Sequence, residues 1–124
     1  MPNFDFVLLY VANPPESARF YADLLGNPIR DSAPTFAMLP LREGVMLGLW
    51  SRQSVAPAAV GAPGASEIAF TVADAEAVKA LHSAWAGRGL PIVQPPTAMD
   101  FGHTFVALDP DGHRLRVFAP RRRD

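Results

Sequence analysis

The chain has 124 residues, of which 49% are apolar and 19% charged, with 9 Gly, 13 Pro and no Cys. This composition is typical of a globular domain and excludes collagen-like and low-complexity classes, which need at least about 25–30% Gly plus Pro. No apolar run reaches the about 18 residues of a membrane-spanning helix. The formal charge of −1 offers no basic field, so we expect neither a nucleic-acid partner nor a membrane partner.

The absence of cysteine excludes a disulfide framework, a thiolate nucleophile and Cys-ligated zinc or iron–sulfur sites. The first residues, MPNFDF, contain no basic segment followed by an apolar one, so no secretory signal is predicted. We therefore expect a cytoplasmic protein. The arginines at positions 121–123 are expected to form a solvated tail.

An internal repeat organises the chain. The segments 6–13 (FVLLYVAN) and 67–74 (EIAFTVAD) match in pattern position by position. Each is predicted to be a strand that runs into an Asx residue, Asn13 or Asp74, which caps a following helix. Both halves of the chain therefore begin with a strand and a helix.

The two predicted helices carry start and stop signals. Pro14 and Glu16 follow Asn13 as an N1 proline and a capping-box acid, and Glu76 gives the second helix an acidic first turn. The first helix should end at Gly26 and the second around Gly87 and Gly89. The apolar seams predicted to face the core are Phe20, Tyr21, Leu24 and Leu25 in the first helix, and Val78, Leu81, His82 and Trp85 in the second.

A hairpin is predicted after each helix. Strand 36–41 turns at 42–44, and strand 104–108 turns at the Asp-Pro-Asp-Gly segment 109–112, with His113 as a turn residue. Aligning the two turn glycines gives two βαβββ modules of about 60 residues, a size that buries little surface alone.

The predicted organisation is a first module over residues 1–53, an Ala/Pro/Gly-rich linker over 54–65 and a second module over 66–124, together forming one structural domain.

The repeat, with FYADLLG, EIAFTVAD and FGHTFVALDPDGHRLRVF, resembles the vicinal oxygen chelate superfamily, the glyoxalase/bleomycin-resistance/extradiol-dioxygenase group. The resemblance covers residues 4–119. It implies an α+β fold in which each βαβββ module forms a curled mixed sheet, two sheets pair into a cup, and a homodimer forms by exchange of modules. The fold leaves the reaction open, because one fold hosts many functions.

The resemblance also implies where the metal ligands of related enzymes would fall. The positions are Phe6, Gly48, Glu67 and Arg116. Neither the Phe6 ring nor Gly48 offers a side-chain lone pair, and the Arg116 guanidinium stays protonated and would repel a dication. We therefore predict no metal and no cofactor.

Glu67 and Arg116 should face one cavity and form a salt bridge at the former metal position. Two interpretations remain open. The pair can neutralise itself and support the sheet, or Arg116, or Arg114 by strand parity, can present donors to a carboxylate or quinone-type oxygen of a ligand.

Strand parity predicts an aromatic, apolar lining for the cup. The Gly48 position is expected to leave room for a flat molecule beside Trp50, and His103 is expected at the cup mouth. His82 and Trp85 are assigned to the core. The predicted ligand-binding residues are Phe6, Leu8, Tyr10, Met46, Gly48, Trp50, Glu67, Phe101, His103, Arg114, Arg116 and Phe118.

The sequence predicts metal-independent binding and sequestration of a planar aromatic small molecule, such as an antibiotic. The Ser66-Glu67-Ile68 run, Trp85 and the FG-x-TF-x-x-x-DPDGH segment resemble the phenazine- and bleomycin-resistance members of the group. No catalytic residues are predicted, because no Ser-His-Asp or Cys-His spacing is present. The alternative is a lyase, dioxygenase or antibiotic-modifying enzyme with a relocated metal or none.

Overall fold

The computed structural model describes residues 1–121, and the chain divides into two compact units, Met1–Gly61 and a second that begins at Ala62. The elements of the first unit are β1 (Phe6–Val11), α1 (Pro14–Leu25), β2 (Asp31–Ala33), β3 (Phe36–Arg42) and β4 (Val45–Ser51). The elements of the second unit are β5 (Glu67–Thr71), α2 (Ala75–Gly87), β6 (Ile92–Met99), β7 (Gly102–Leu108) and β8 (Arg114–Pro120). Arg121 is exposed, whereas the rest of the predicted arginine tail lies outside the described residues.

Each unit holds one mixed four-stranded sheet. The strand orders are β1-β4-β3-β2 and β5-β8-β7-β6, and the first two strands of each order are parallel while the other pairs are antiparallel. Phe6 pairs with Met46 in the first unit, and Glu67 pairs with Arg114 at the equivalent place in the second. The predicted α+β fold of tandem βαβββ modules is confirmed.

The helix boundaries follow the predicted caps. Asn13 Oδ1 accepts a hydrogen bond from the backbone N–H of Glu16 at 3.1 Å, and Gly26 ends α1 with a left-handed φ of 73°. In the second unit, Asp74 Oδ1 accepts from the backbone N–H of Ala77 at 2.9 Å. These contacts satisfy backbone donors that have no partner inside the helix.

The buried seam of α1 differs from the predicted one. Pro14, Ser17, Ala18 and Tyr21 are buried, whereas Phe20, Leu24 and Leu25 are only half-buried. Small residues at two of these positions let the helix approach its sheet, so Tyr21 fills the contact. In α2, Val78 and Trp85 are buried and Leu81 and His82 are half-buried, as predicted.

The turn between β7 and β8 has the predicted structure. Asp109 is 3% exposed, and its Oδ1 accepts hydrogen bonds from the backbone N–H groups of Asp111 at 2.9 Å and His113 at 2.8 Å. Gly112 has a φ of 98°, a backbone conformation that suits glycine. His113 is therefore a turn residue.

One face of each sheet packs on the helix of its unit, and we call the opposite face, on which that helix does not pack, the open face. Leu39, Leu47 and Leu49 are fully buried in the first unit, as are Phe105, Leu115 and Val117 in the second. The first open face carries Phe6, Leu8, Tyr10, Phe36, Met38, Met46, Gly48 and Trp50. The second open face carries Glu67, Ala69, Thr71, Gln94, Thr104, Arg114, Arg116 and Phe118.

Among the described residues, no helix is both long enough and apolar enough to cross a membrane.

Candidate functional site

Arg116 forms the centre of a polar cluster on the second open face. Its Nε donates to Glu67 Oε1 at 2.7 Å and its Nη2 to Glu67 Oε2 at 2.9 Å. Two parallel hydrogen bonds between a planar guanidinium and a carboxylate fix both groups in position as well as in charge. The predicted salt bridge between β5 and β8 is confirmed.

Two further acceptors hold the other side of the Arg116 guanidinium. Its Nη1 donates to Gln94 Oε1 and to Thr104 Oγ1, both at 3.1 Å. Thr104 is fully buried, and its hydroxyl donates to the carbonyl of Val117 at 2.8 Å. Because an arginine has five N–H donors, these four contacts leave Arg116 a single N–H for a ligand.

Arg114 lies beside the same carboxylate but, unlike Arg116, does not form a hydrogen bond with it through Nε. Its Nε is 3.3 Å from Glu67 Oε2, an ion-pair distance, yet this solvent-shielded nitrogen makes no hydrogen bond with any residue in the described chain. The Arg114 side chain is 39% exposed, against 17% for Arg116. The two arginines therefore share one acid unequally.

The pKa of the Glu67 carboxyl is lowered. The hydrogen bond from Arg116 is the largest cause, and the charges of Arg116 and Arg114 act in the same direction, while partial desolvation opposes them. Glu67 is therefore ionised at neutral pH, and the cluster of Glu67, Arg114 and Arg116 carries one net positive charge.

Aromatic rings border the cluster at its far end along β8. The rings of Phe101 and Phe118 meet edge to face at 5.7 Å between centroids, and Arg116 Cζ is 5.9 Å from the Phe101 centroid. Phe101 is 43% exposed. A charged end and an aromatic end thus lie on one open face.

The first open face is apolar, but the expected room above Gly48 is wrong. A Cβ atom at Gly48 would lie 2.5 Å from Leu8 Cδ2 and 3.0 Å from Phe36 Cζ. The side chains of Leu8 and Phe36 therefore occupy that space. Trp50 is half-buried and meets Phe36 edge to face at 6.3 Å between centroids.

The structure separates His103 from the Arg116 cluster. His103 pairs with Ala119, whereas its neighbour Thr104 contacts Arg116, so His103 lies on the helix side of the second sheet. There it lines a separate cavity of about 400 Å³, together with Asp74 and Asp100 at the start of α2 and the β6–β7 turn. The structure therefore does not bring His103 together with Arg116 on one face of the sheet.

Trp85 lies in the core as predicted, and His82 is half-buried beside it. Trp85 is 4% exposed and packs edge to face on Phe70 and Phe105, with centroid distances of 6.2 and 5.5 Å. His82 meets Phe105 at 5.4 Å. The two tryptophans of the chain therefore have different environments, one in the core and one on an open face.

The residues at the family's metal positions do not fit a metal ion. Both oxygens of Glu67 accept hydrogen bonds from Arg116, whose positive charge would repel a metal ion, and Phe6 and Gly48 supply no side-chain ligand. Over residues 1–121, no group of three or more His, Cys, Asp or Glu is placed to hold a metal.

Sequence reasoning missed Gln94, Thr104 and Phe36 as members of the two open faces. Thr104 could have been found by counting back along the hairpin, because its cross-strand partner is Phe118. Gln94 could not, because the register of β6 shifts on both sides of it. No side-chain period therefore connects Gln94 with Arg116 in the sequence.

Comparison with known proteins gives a coherent set of relatives. The solution NMR structure of protein ATC0852 from Agrobacterium tumefaciens matches with a TM-score of 0.89 and 45% identity, covering 98% of this chain and 100% of that one. A glyoxalase-related enzyme from Fulvimarina pelagi has the same fold, with a TM-score of 0.81 and 23% identity over 96% of this chain and 88% of that one.

Among curated proteins, the phenazine antibiotic resistance protein EhpR from Enterobacter agglomerans is 28% identical over 113 residues, which are 89% of this chain and 86% of that protein. The family model of the Glyoxalase/Bleomycin resistance protein/Dioxygenase superfamily matches residues 3–117. With its tandem βαβββ modules and this match over nearly its whole length, the chain belongs to the glyoxalase/bleomycin resistance protein/dioxygenase superfamily.

Proposed function

We propose that this protein binds and sequesters a planar aromatic small molecule, such as an antibiotic, without a metal ion. The observation that carries the proposal is the bidentate pair between Glu67 and Arg116. It stands where the family resemblance implies metal ligands, so the centre of the site is a pair of hydrogen-bonded side chains. A ligand of such a site is recognised by shape, stacking and charge.

The aromatic residues on the open faces support a flat ligand. Trp50 and Phe36 lie on the first face, and Phe101 and Phe118 border the cluster on the second. Stacking on such rings contributes about 0.5–1.5 kcal/mol per pair beyond the burial of surface. The relative EhpR is named as a phenazine resistance protein, and phenazines are flat tricyclic aromatics of this kind.

The test is a titration of purified protein, in the presence of a chelator, with phenazine, phenazine-1-carboxylate and phenazine-1-carboxamide. We expect saturable binding in calorimetry for at least one compound, with quenching of tryptophan fluorescence and recovery of the compound unchanged by chromatography. Saturable quenching should disappear in Trp50→Phe and persist in Trp85→Phe. Absence of binding by all three contradicts the proposal for phenazines, and recovery of an altered compound favours the lyase, dioxygenase or modifying-enzyme alternative.

We also propose that the protein is a homodimer. The observation in its favour is the set of exposed apolar side chains near the start of the chain, of which Phe4 is 73%, Phe6 47% and Leu8 43% exposed. Sedimentation equilibrium at micromolar concentration should give twice the mass of the chain, and a monomeric mass would contradict this proposal.

A further inference from the structure

Arg114 holds hydrogen-bonding capacity that the described chain does not use. Its terminal nitrogens donate to no residue between 1 and 121, and its only ion pair there is the 3.3 Å contact of Nε with Glu67. Arg116, by contrast, makes four hydrogen bonds. Of these two guanidinium groups, Arg114 is therefore the one that can present two N–H groups side by side to a ligand.

Glu67 is at ion-pair distance from Arg114 but accepts no hydrogen bond from its Nε. Both of its oxygens already accept short hydrogen bonds from Arg116, at 2.7 and 2.9 Å. Two guanidinium groups stand against one carboxylate, so one unit of positive charge stays unbalanced at this end of the face. With 39% of its side chain exposed, Arg114 can be reached from outside, and a carboxylate has the geometry that a guanidinium binds best.

The positions along β8 give the expected shape of the ligand. Arg114, Arg116 and Phe118 are every second residue of one strand, so they share a face. At about 3.3 Å per residue, the Cα atoms of Arg114 and Phe118 are about 13 Å apart. The Arg116 guanidinium plane lies between the two ends. This spacing suits a flat polycyclic body with an acidic group at one end.

We infer that Arg114 selects for ligand acidity: its terminal nitrogens bind the carboxylate of a planar aromatic acid, while Arg116 and Glu67 hold the surface on which the ring system lies. This inference rests on the proposed function and names the ligand class within it. Arg116 is thus a positioning residue, and Arg114 is the residue that contacts the ligand's charge.

The test compares phenazine-1-carboxylate with phenazine-1-carboxamide, which share a ring system and differ in charge. By calorimetry at neutral pH, wild type should prefer the carboxylate by about tenfold, as expected for one charge-assisted hydrogen-bonding contact. Arg114→Met should abolish the preference while keeping carboxamide affinity, which also shows that the variant is folded. Arg114→Lys should keep part of the preference. Arg19→Met, which removes an exposed arginine of α1, should keep all of it.

A second measurement separates this inference from the proposed function. Benzoate titrated into wild type should shift the Nε–H signal of Arg114 in the nitrogen-15 spectrum. The same concentration of chloride should not shift it. If neither phenazine binds but benzoate shifts this signal, the proposed function is overturned and the anion site stands. If benzoate acts like chloride, or if Arg114→Met keeps the preference for the carboxylate, the inference is overturned.

Discussion

The two modules have equivalent sheets, but the side chains on their open faces differ: those of the first module are apolar, and those of the second include charged groups. Gly48 and Arg116 occupy equivalent positions, since Gly48 pairs with Leu8 and Met38, and Arg116 pairs with Ala69 and Val106. In the first module, the large side chains of Leu8 and Phe36 cover a glycine. In the second, the small neighbours Ala69 and Thr104 leave room for an arginine.

This exchange of large and small residues shows how one module can be apolar and the other charged without a change of fold. The hydrogen bonds of the sheet involve only backbone groups, so the open face is free to vary as long as the volumes of neighbouring side chains compensate. The position at which the family resemblance implies a metal ligand is a covered glycine in one module and a guanidinium held by four hydrogen bonds in the other.

The largest expected effect is a difference in stability between variants of Trp85, on the helix side of its sheet, and Trp50, on an open face. Trp85→Ala should lower the free energy of unfolding by about 3–5 kcal/mol, because it removes a buried indole that packs on two phenylalanine rings. Trp50→Ala should change stability much less and should weaken aromatic ligand binding at least about tenfold. Urea unfolding and calorimetry measure the two quantities, and equal losses of stability would contradict the assignment.

Arg116→Met should cost about 1–3 kcal/mol of unfolding free energy. The substitution keeps much of the side-chain volume but leaves the acceptors of Glu67, Gln94 and Thr104 without their donor. Met46→Leu, at an apolar position of the first open face, is the matched control and should be nearly neutral. A loss for Arg116→Met no greater than that of the control would show that the cluster adds no stability.

Gly48→Ala should cost about 1 kcal/mol, because the added methyl meets the end of the flexible, exposed Leu8 side chain and the edge of the Phe36 ring rather than backbone. Leu8→Ala in the same chain should relieve this cost, so the two changes should be non-additive. A double-mutant cycle in urea unfolding measures the coupling. If the two free-energy changes were strictly additive, the Leu8 side chain would not be the group that fills the space beside Gly48.

The smallest expected effect is the pH dependence of the unfolding free energy that Glu67 causes. The folded pKa of Glu67 lies below its ordinary value of 4.5, so its contribution is complete above that pH and is lost as the pH falls through the folded pKa. As the pH falls below about 5, wild type should therefore lose more stability than Glu67→Gln does. Parallel pH profiles for the two proteins would contradict this role of the pair.

The sequence was enough to predict the repeat, the helix caps, the turn at Asp109 and the Glu67–Arg116 contact, because each depends on local chemistry or on strand parity. It was insufficient at Gly48, where a missing side chain was taken as open space although Leu8 and Phe36 fill it. The predicted site included both His103 and Arg116, and the alternation of side chains along β7 places them on opposite faces of the second sheet. The contact of Gln94 depends on the irregular register of β6.

The most direct test of metal-independent recognition is calorimetric titration of the protein with phenazine-1-carboxylate after exhaustive chelation, and again after addition of zinc, nickel or manganese. The Glu67–Arg116 pair at the family's metal position predicts the same affinity and stoichiometry in every case. Binding that is lost after chelation and restored by one metal ion per chain would contradict the account.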